Sequence, residues 1–161
     1  MLAGAPEGAV VAADEQTEGR GRLGRSWHAP RGTSLLFSTS LVPDVPAARL
    51  PELSLVAGAA VADAISAQTG LRTTLKHPND VLVDGRKVAG ILAESVDGRV
   101  VLGIGVNVSQ AEGELPQEVV TPATSLALEG ATVDRAELLA VILERLEARY
   151  DEWVSACRAD T

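Results

Sequence analysis

Two short segments carry most of the residues whose type and spacing could do chemistry. In Gly19-Arg20-Gly21-Arg22-Leu23-Gly24-Arg25-Ser26-Trp27, three arginines fall within six residues of a chain whose formal net charge is −8. That clustering asks for an anion, because guanidinium groups pair bidentately with phosphate or carboxylate oxygens. The interleaved glycines let backbone approach a ligand closely, so a mobile cationic flap is one reading. Others stand beside it. Gly19, Gly21 and Gly24 match a G-x-G-x-x-G spacing after a strand, with Asp44 20 residues beyond the last glycine. A dinucleotide fingerprint must open a helix, however, and Trp27, Pro30 and Gly32 break one. An Arg/Gly segment binding nucleic acid would have a single flanking tryptophan as its stacking platform. A solvated surface loop is the plainest alternative.

The second segment is Lys76-His77-Pro78-Asn79-Asp80, followed seven residues on by Lys87 in Arg86-Lys87-Val88-Ala89-Gly90-Ile91-Leu92. Lys76 and Lys87 are the only lysines, in a chain that otherwise uses arginine for positive charge. Lysine supplies a compact point charge where arginine supplies a planar fork. Asn79 and Asp80 can be read as a turn-forming pair after Pro78. Gly90 inside an apolar strand suggests a bulge or a ligand lying against bare backbone. His28 and His77 lack evident metal-binding partners, and Ser38, Ser40 and Cys157 have no neighbouring acid/base motif of a nucleophilic enzyme.

The 161 residues, 46% of them hydrophobic, suffice for one sizeable core and make a single domain, 1–161, the default. The acidic balance argues against general affinity for nucleic acid or an anionic membrane. One cysteine, Cys157, allows no intrachain disulfide. No basic leader is visible and no stretch reads as the roughly 20 apolar residues of a membrane span, so a cytoplasmic protein is expected.

These segments must be positioned by neighbouring elements. Val10–Ala13 reads as a buried strand, and the stretch 16–32 as a loop. Ser34–Val42 reads as a second strand, and Leu50–Thr69 as an amphipathic helix stopped by Gly70. From Arg72 to Ser109 the turns Asp84-Gly85 and Asp97-Gly98 predict an antiparallel meander, with strands at Leu75, Val81–Val83, Val88–Ala93 and Val100–Val108. Gln110–Pro122 reads as a surface loop and Ala123–Leu128 as a short helical turn. Asp134–Cys157 reads as a helix, with Glu137 completing a capping-box-like start. The expected class is α+β: a mixed, largely antiparallel sheet packed by helices.

Taken together, GRGRLGRSW and KHPNDVLVDGRKVAGIL resemble the two signature segments of biotin protein ligases, and the resemblance extends through Leu102–Val108 and Ala123-Thr124-Ser125-Leu126. It implies a biotin/lipoate protein ligase-like catalytic domain that makes biotinyl-5′-adenylate from biotin and MgATP. The biotinyl group then passes to a lysine of a biotin carboxyl carrier protein. The resemblance implies catalytic roles for Lys87, Arg22 and Asp80. It implies biotin contacts from Gln16, Gly19, Arg20, Arg22, Lys87, Gly90 and Leu92. ATP contacts fall to Arg22, Arg25, Trp27, Asn79, Lys87 and Asn107. Mg²⁺ would arrive with ATP, Asp80 being its candidate protein ligand.

The pattern also departs from the family. His77 stands where most members have tryptophan, only nine residues precede the Val10 strand, and the chain stops at Thr161. The resemblance therefore implies a domain lacking the family's N-terminal strand and helix, which carry a Ser-Thr pair contacting biotin, and its small C-terminal β-barrel. A DNA-binding module and transcriptional repression are not expected, and a homodimer is left open. A ligand-binding but catalytically impaired remnant is the alternative to a working ligase.

Overall fold

In the computed structural model, which describes residues 2–117 and 120–160, the elements follow in this order. Strands β1 (Val10–Ala13), β2 (Gln16–Arg20), β3 (Ser26–Ala29) and β4 (Ser34–Leu41) precede helix α1 (Leu53–Thr69). Strands β5 (Thr73–Lys76), β6 (Asp80–Val83), β7 (Arg86–Val96) and β8 (Arg99–Asn107) lead to helix α2 (Arg135–Ala159). Six strands form one sheet in the order β1-β4-β8-β7-β6-β5, each neighbouring pair antiparallel, while β2 and β3 form a separate ribbon.

Alternation along the strands separates the two faces of the sheet. Val100, Leu102, Ile104 and Val106 of β8 join Leu35, Phe37 and Leu41 of β4 in the core. α1 packs on β5, β6 and β7, and α2 packs on α1 and β4. Both helices therefore cover one face and leave the other open. The meander turns form because Asp84 and Asp97 (φ 48° and 51°) and the following Gly85 and Gly98 (φ 73° and 76°) adopt the paired positive φ of tight hairpins. The His77–Pro78 peptide between β5 and β6 is cis.

The helices keep their expected signals. Gly70, at φ 74°, caps α1 and donates its N–H to the Ser66 carbonyl; the Asp134 side chain accepts from the Glu137 N–H at the start of α2. α1 begins three residues later than expected, because a 3₁₀ segment, Ala47–Glu52, occupies the stretch containing Pro51. Contrary to the sequence reading, the continuous helical stretch Ala47–Thr69, with mean hydropathy 1.4, is long and apolar enough by length and composition to cross a membrane. Its alanines and valines serve a different end here: Ala57, Ala60, Val61, Ala64 and Ile65 are wholly buried in the core.

Three other expectations are corrected. β1 forms where expected but is not buried, because it is an edge strand of the sheet: all four of its residues are exposed, Val10 at 39% and Val11 at 43%. The stretch 16–32 contains the β2–β3 ribbon; its exposed, Gly- and Arg-rich sequence hides pairing made through backbone alone. Ala123–Leu128 forms no helix: Ala123 bridges to Lys87, and turns run from Leu126 to Gly130. The expected loop after Gln110 contains a short 3₁₀ turn at Glu112–Glu114, and its Glu118 and Val119 lie outside the described residues.

Candidate functional site

The open face of the sheet is nearly bare at its centre. Across β4, β8 and β7 the register sets Leu36 beside Gly105 beside Gly90, and in the next row Ser38 beside Gly103 beside Leu92. Three glycines thus remove the side chains that would fill this face, and a cavity of about 660 Å³ stands over it. The Trp27 indole lies on the floor. A Cβ added to Gly105 would come within 2.8 Å of ring atoms Cε2 and Cζ2, and one on Gly90 within 3.1 Å of Cζ3. Only glycine accommodates the ring at this distance. The indole Nε1 is buried without a hydrogen-bond partner among the described residues, an unmatched donor in a pocket wall.

Lys87 reaches this face because of an irregularity in β7. Val81 pairs with Ala89 but Leu82 pairs with Lys87, so Val88 is an extra residue opposite β6. Val88 and Ala89 are consecutive yet both wholly buried in the core. The bulge shifts the alternation by one residue, which brings Lys87 to the same side as Gly90. There its Nζ lies 3.0 Å from Asp80 Oδ1 and 5.5 Å from the centre of the Trp27 ring. These ionic side chains are only 22% and 17% exposed, so their attraction is less screened than that of a surface pair.

A strap after the 111–120 loop supplies the backbone partners around Lys87. The Lys87 N–H donates to the Pro122 carbonyl, and its carbonyl accepts from the Thr124 N–H, each at 2.8 Å. Lys76 Nζ bonds the Thr121 hydroxyl. The Asn107 amide donates to the Thr124 carbonyl at 3.0 Å, while its Oδ1 accepts from Gln110. Asn79 does not form a self-contained turn pair: its amide donates to the Ile91 carbonyl at 2.8 Å and its carbonyl accepts from the Ile91 N–H.

The ribbon closes the cavity from the opposite side with positive charge. Among the described residues, Arg20, Arg22 and Arg25 make no ion pair. In a protein of net charge −8, these three arginines and both lysines line one cavity against Glu18, Asp80 and Glu94, a local excess of positive charge that suits an anion.

The structure brings Gln16, Arg20, Arg22, Arg25, Trp27, Asn79, Asp80, Lys87, Gly90, Leu92 and Asn107 to the wall of this one cavity. Gly19 stands behind the wall. A Cβ there would fall 2.4 Å from the Trp27 carbonyl oxygen, so Gly19 permits the pairing that presents Trp27. Sequence reasoning missed Leu36, Ser38, Gly103 and Gly105 as floor residues. The two glycines left a readable signal: they alternate inside a strand otherwise rich in β-branched residues.

The comparisons with known proteins agree with this geometry. Residues 2–110 match the model of the Biotin/lipoate A/B protein ligase family. The chain is 45% identical to the biotin–[acetyl-CoA-carboxylase] ligase of Mycobacterium tuberculosis, covering 93% of this chain and 57% of that protein. It is 42% identical to the bifunctional ligase/repressor BirA of Bacillus spizizenii, covering 94% of this chain and 48% of the relative. Among solved structures, the biotin protein ligase of Aquifex aeolicus in complex with biotin and ATP superposes with a TM-score of 0.83 at 36% identity, over 93% of this chain and 63% of that one. The ligase of Leishmania major in complex with biotinyl-5-AMP gives 0.77 at 26% identity, over 91% and 66%. The chain thus spans about half to two thirds of the length of these relatives. The family match takes in well over half of the sequence, and the chain belongs to the biotin/lipoate A/B protein ligase family.

Proposed function

We propose that this chain activates biotin with ATP to biotinyl-5′-adenylate and transfers the biotinyl group to a lysine of a biotin carboxyl carrier domain. The observation that carries this reading is Lys87, turned by the β7 bulge onto a glycine floor and faced by three arginines without carboxylate partners. Biotin and ATP together bring about five negative charges to one place, and in-line displacement needs them neutralised and aligned. In the first step a carboxylate oxygen attacks the α-phosphorus. The bond to the β-phosphate bridging oxygen breaks and pyrophosphate leaves. In the second, a neutral lysine amine attacks the acyl carbon, AMP leaves with the electron pair, and the amine nitrogen loses a proton.

Lys87 suits the first step, donating to the carboxylate and to the α-phosphate oxygens as charge moves between them. Arg20, Arg22 and Arg25 hold the anionic ligand under the ribbon. Gln16 meets the polar head of biotin, Gly90 and Leu92 lie under its rings, and Gly19 supports the ribbon. Trp27, Asn79 and Asn107 border the nucleotide. Nucleotide-bound Mg²⁺ keeps several waters and takes few protein ligands, so Asp80 fits as its single carboxylate or as the acceptor of the amine proton.

Biotin-dependent exchange of labelled pyrophosphate into ATP tests the reading, together with the thermal midpoint. Biotin plus MgATP should raise the midpoint more than lipoate plus MgATP does, since a ligand bound only to the folded state stabilises it. Equal or larger shifts with lipoate would defeat the biotin assignment. Stabilisation by biotin without exchange would reduce the chain to a binding domain.

A further inference from the structure

A mostly buried carboxylate lies behind the Lys87 corner, and nothing in the chemistry above uses it. The Glu129 side chain is 7% exposed, and its Oε1 accepts from the Arg86 guanidinium at 2.5 Å and the Thr124 hydroxyl at 2.6 Å. Both donors adjoin Lys87. Arg86 precedes it in β7, and Thr124, itself wholly buried, donates its N–H to the Lys87 carbonyl. The bulge interrupts the regular ladder between β6 and β7 at this point, leaving the strap bonds to Pro122 and Thr124 to hold the Lys87 backbone. One carboxylate oxygen therefore ties the strap to the strand at the position where neighbouring strand pairing is disturbed.

We propose that Glu129 is a positioning residue for Lys87. It clamps the strap against β7 and so sets where the lysine stem starts its path over Gly90. The Lys87 Cε lies 3.3 Å from where a Gly90 Cβ would sit, so the stem already runs close along the floor. A misplacement of about 1 Å can cost on the order of 10²-fold in rate, whereas substrate contacts made by the ribbon would be largely unaffected. The kinetic part of this inference rests on the proposed adenylation; the clamp itself does not.

Two measurements on the full chain decide it. In hydrogen–deuterium exchange, Glu129→Ala should speed exchange of the Lys87 and Thr124 amides at least about tenfold and leave the buried turns of α1 unchanged. In single-turnover adenylation, the same variant should lower the rate constant about tenfold with the KM values for biotin and ATP within about twofold. Glu129→Gln, which keeps an acceptor for Thr124, should recover most of that loss. Added to Lys87→Ala, Glu129→Ala should cost less than about twofold more, because a residue acting through Lys87 has nothing left to position. Unchanged protection at Lys87 and Thr124, or a rate penalty retained in full without Lys87, would overturn the proposal. Should Glu129→Ala fail to fold, Glu129→Gln carries the exchange test, with acceleration of about threefold expected and none overturning it. A wild-type chain without adenylation would sink the enzymatic reading, while the exchange result would still settle the clamp.

Discussion

The two positively charged sides of the cavity are built in opposite ways. Lys87 is paired with Asp80, covered by Trp27, and held through its backbone by the strap. Arg20, Arg22 and Arg25 project from a two-stranded ribbon whose residues are mostly exposed and whose pairing is its own. Electrostatic stabilisation of a transition state requires charges fixed before the reaction begins. Retaining a bound anion requires an element that can open and close over it. Under the proposed function the lysine corner would serve the first requirement and the ribbon the second, although both present positive charge to the same space.

Substitutions at the two sides should therefore fail differently. The largest effect belongs to Lys87→Ala, which should slow adenylate formation by on the order of 10²–10³-fold, the scale for losing one preorganised electrostatic group. Rapid-quench measurement of the first turnover would check it, and a loss below about tenfold would place the reacting centre elsewhere. Arg22→Gly should leave that turnover within about tenfold of wild type but release the adenylate about 10–100-fold faster, matching one lost charge-assisted hydrogen bond. Escaped adenylate would label lysines of an added bystander protein. If Arg22→Gly instead abolished the first step and released nothing, the division of labour would be wrong.

A smaller effect should come from the floor that both sides share. Gly105→Ala places a methyl 2.8 Å from the Trp27 ring, and displacing the indole by overpacking costs about 1–3 kcal/mol. Biotin binding measured by calorimetry should weaken about fivefold or more. Gly103→Ala meets nothing closer than 3.6 Å and should change affinity less than about twofold. Equal losses at the two positions would show that the indole contact is not what the glycine serves.

The sequence exposed those parts of the molecule whose signals are local. The Asp-Gly turns of the meander, the Gly70 stop and the Asp134 cap each depend on a few adjacent residues and occur where expected. The α+β class followed from them. The clustering of Arg20, Arg22 and Arg25 and the isolation of Lys87 likewise marked both sides of the cavity, which the structure brings together. What stayed hidden depends on register. Lys87-Val88-Ala89-Gly90 reads as unbroken strand, and only pairing with β6 reveals that Val88 is supernumerary. The ribbon escaped notice because its strands lack apolar alternation. The strap did too, since Pro122 to Thr124 acquire their role from a strand more than thirty residues away.

The bulge at Val88 lets two successive residues face the core without turning Lys87 away from the cavity. Another apolar residue in place of Val88 keeps the bulge and the outward aim of the ammonium group. Deleting Val88 would remove the bulge and not the aim: Leu82 would still pair with Lys87 and Val81 with Ala89, in a regular ladder that leaves Lys87 on the side of Gly90. A regular ladder through all five residues from Arg86 to Gly90, by contrast, would direct the ammonium among Val81, Val83 and Ile91, where a bare charge is intolerable.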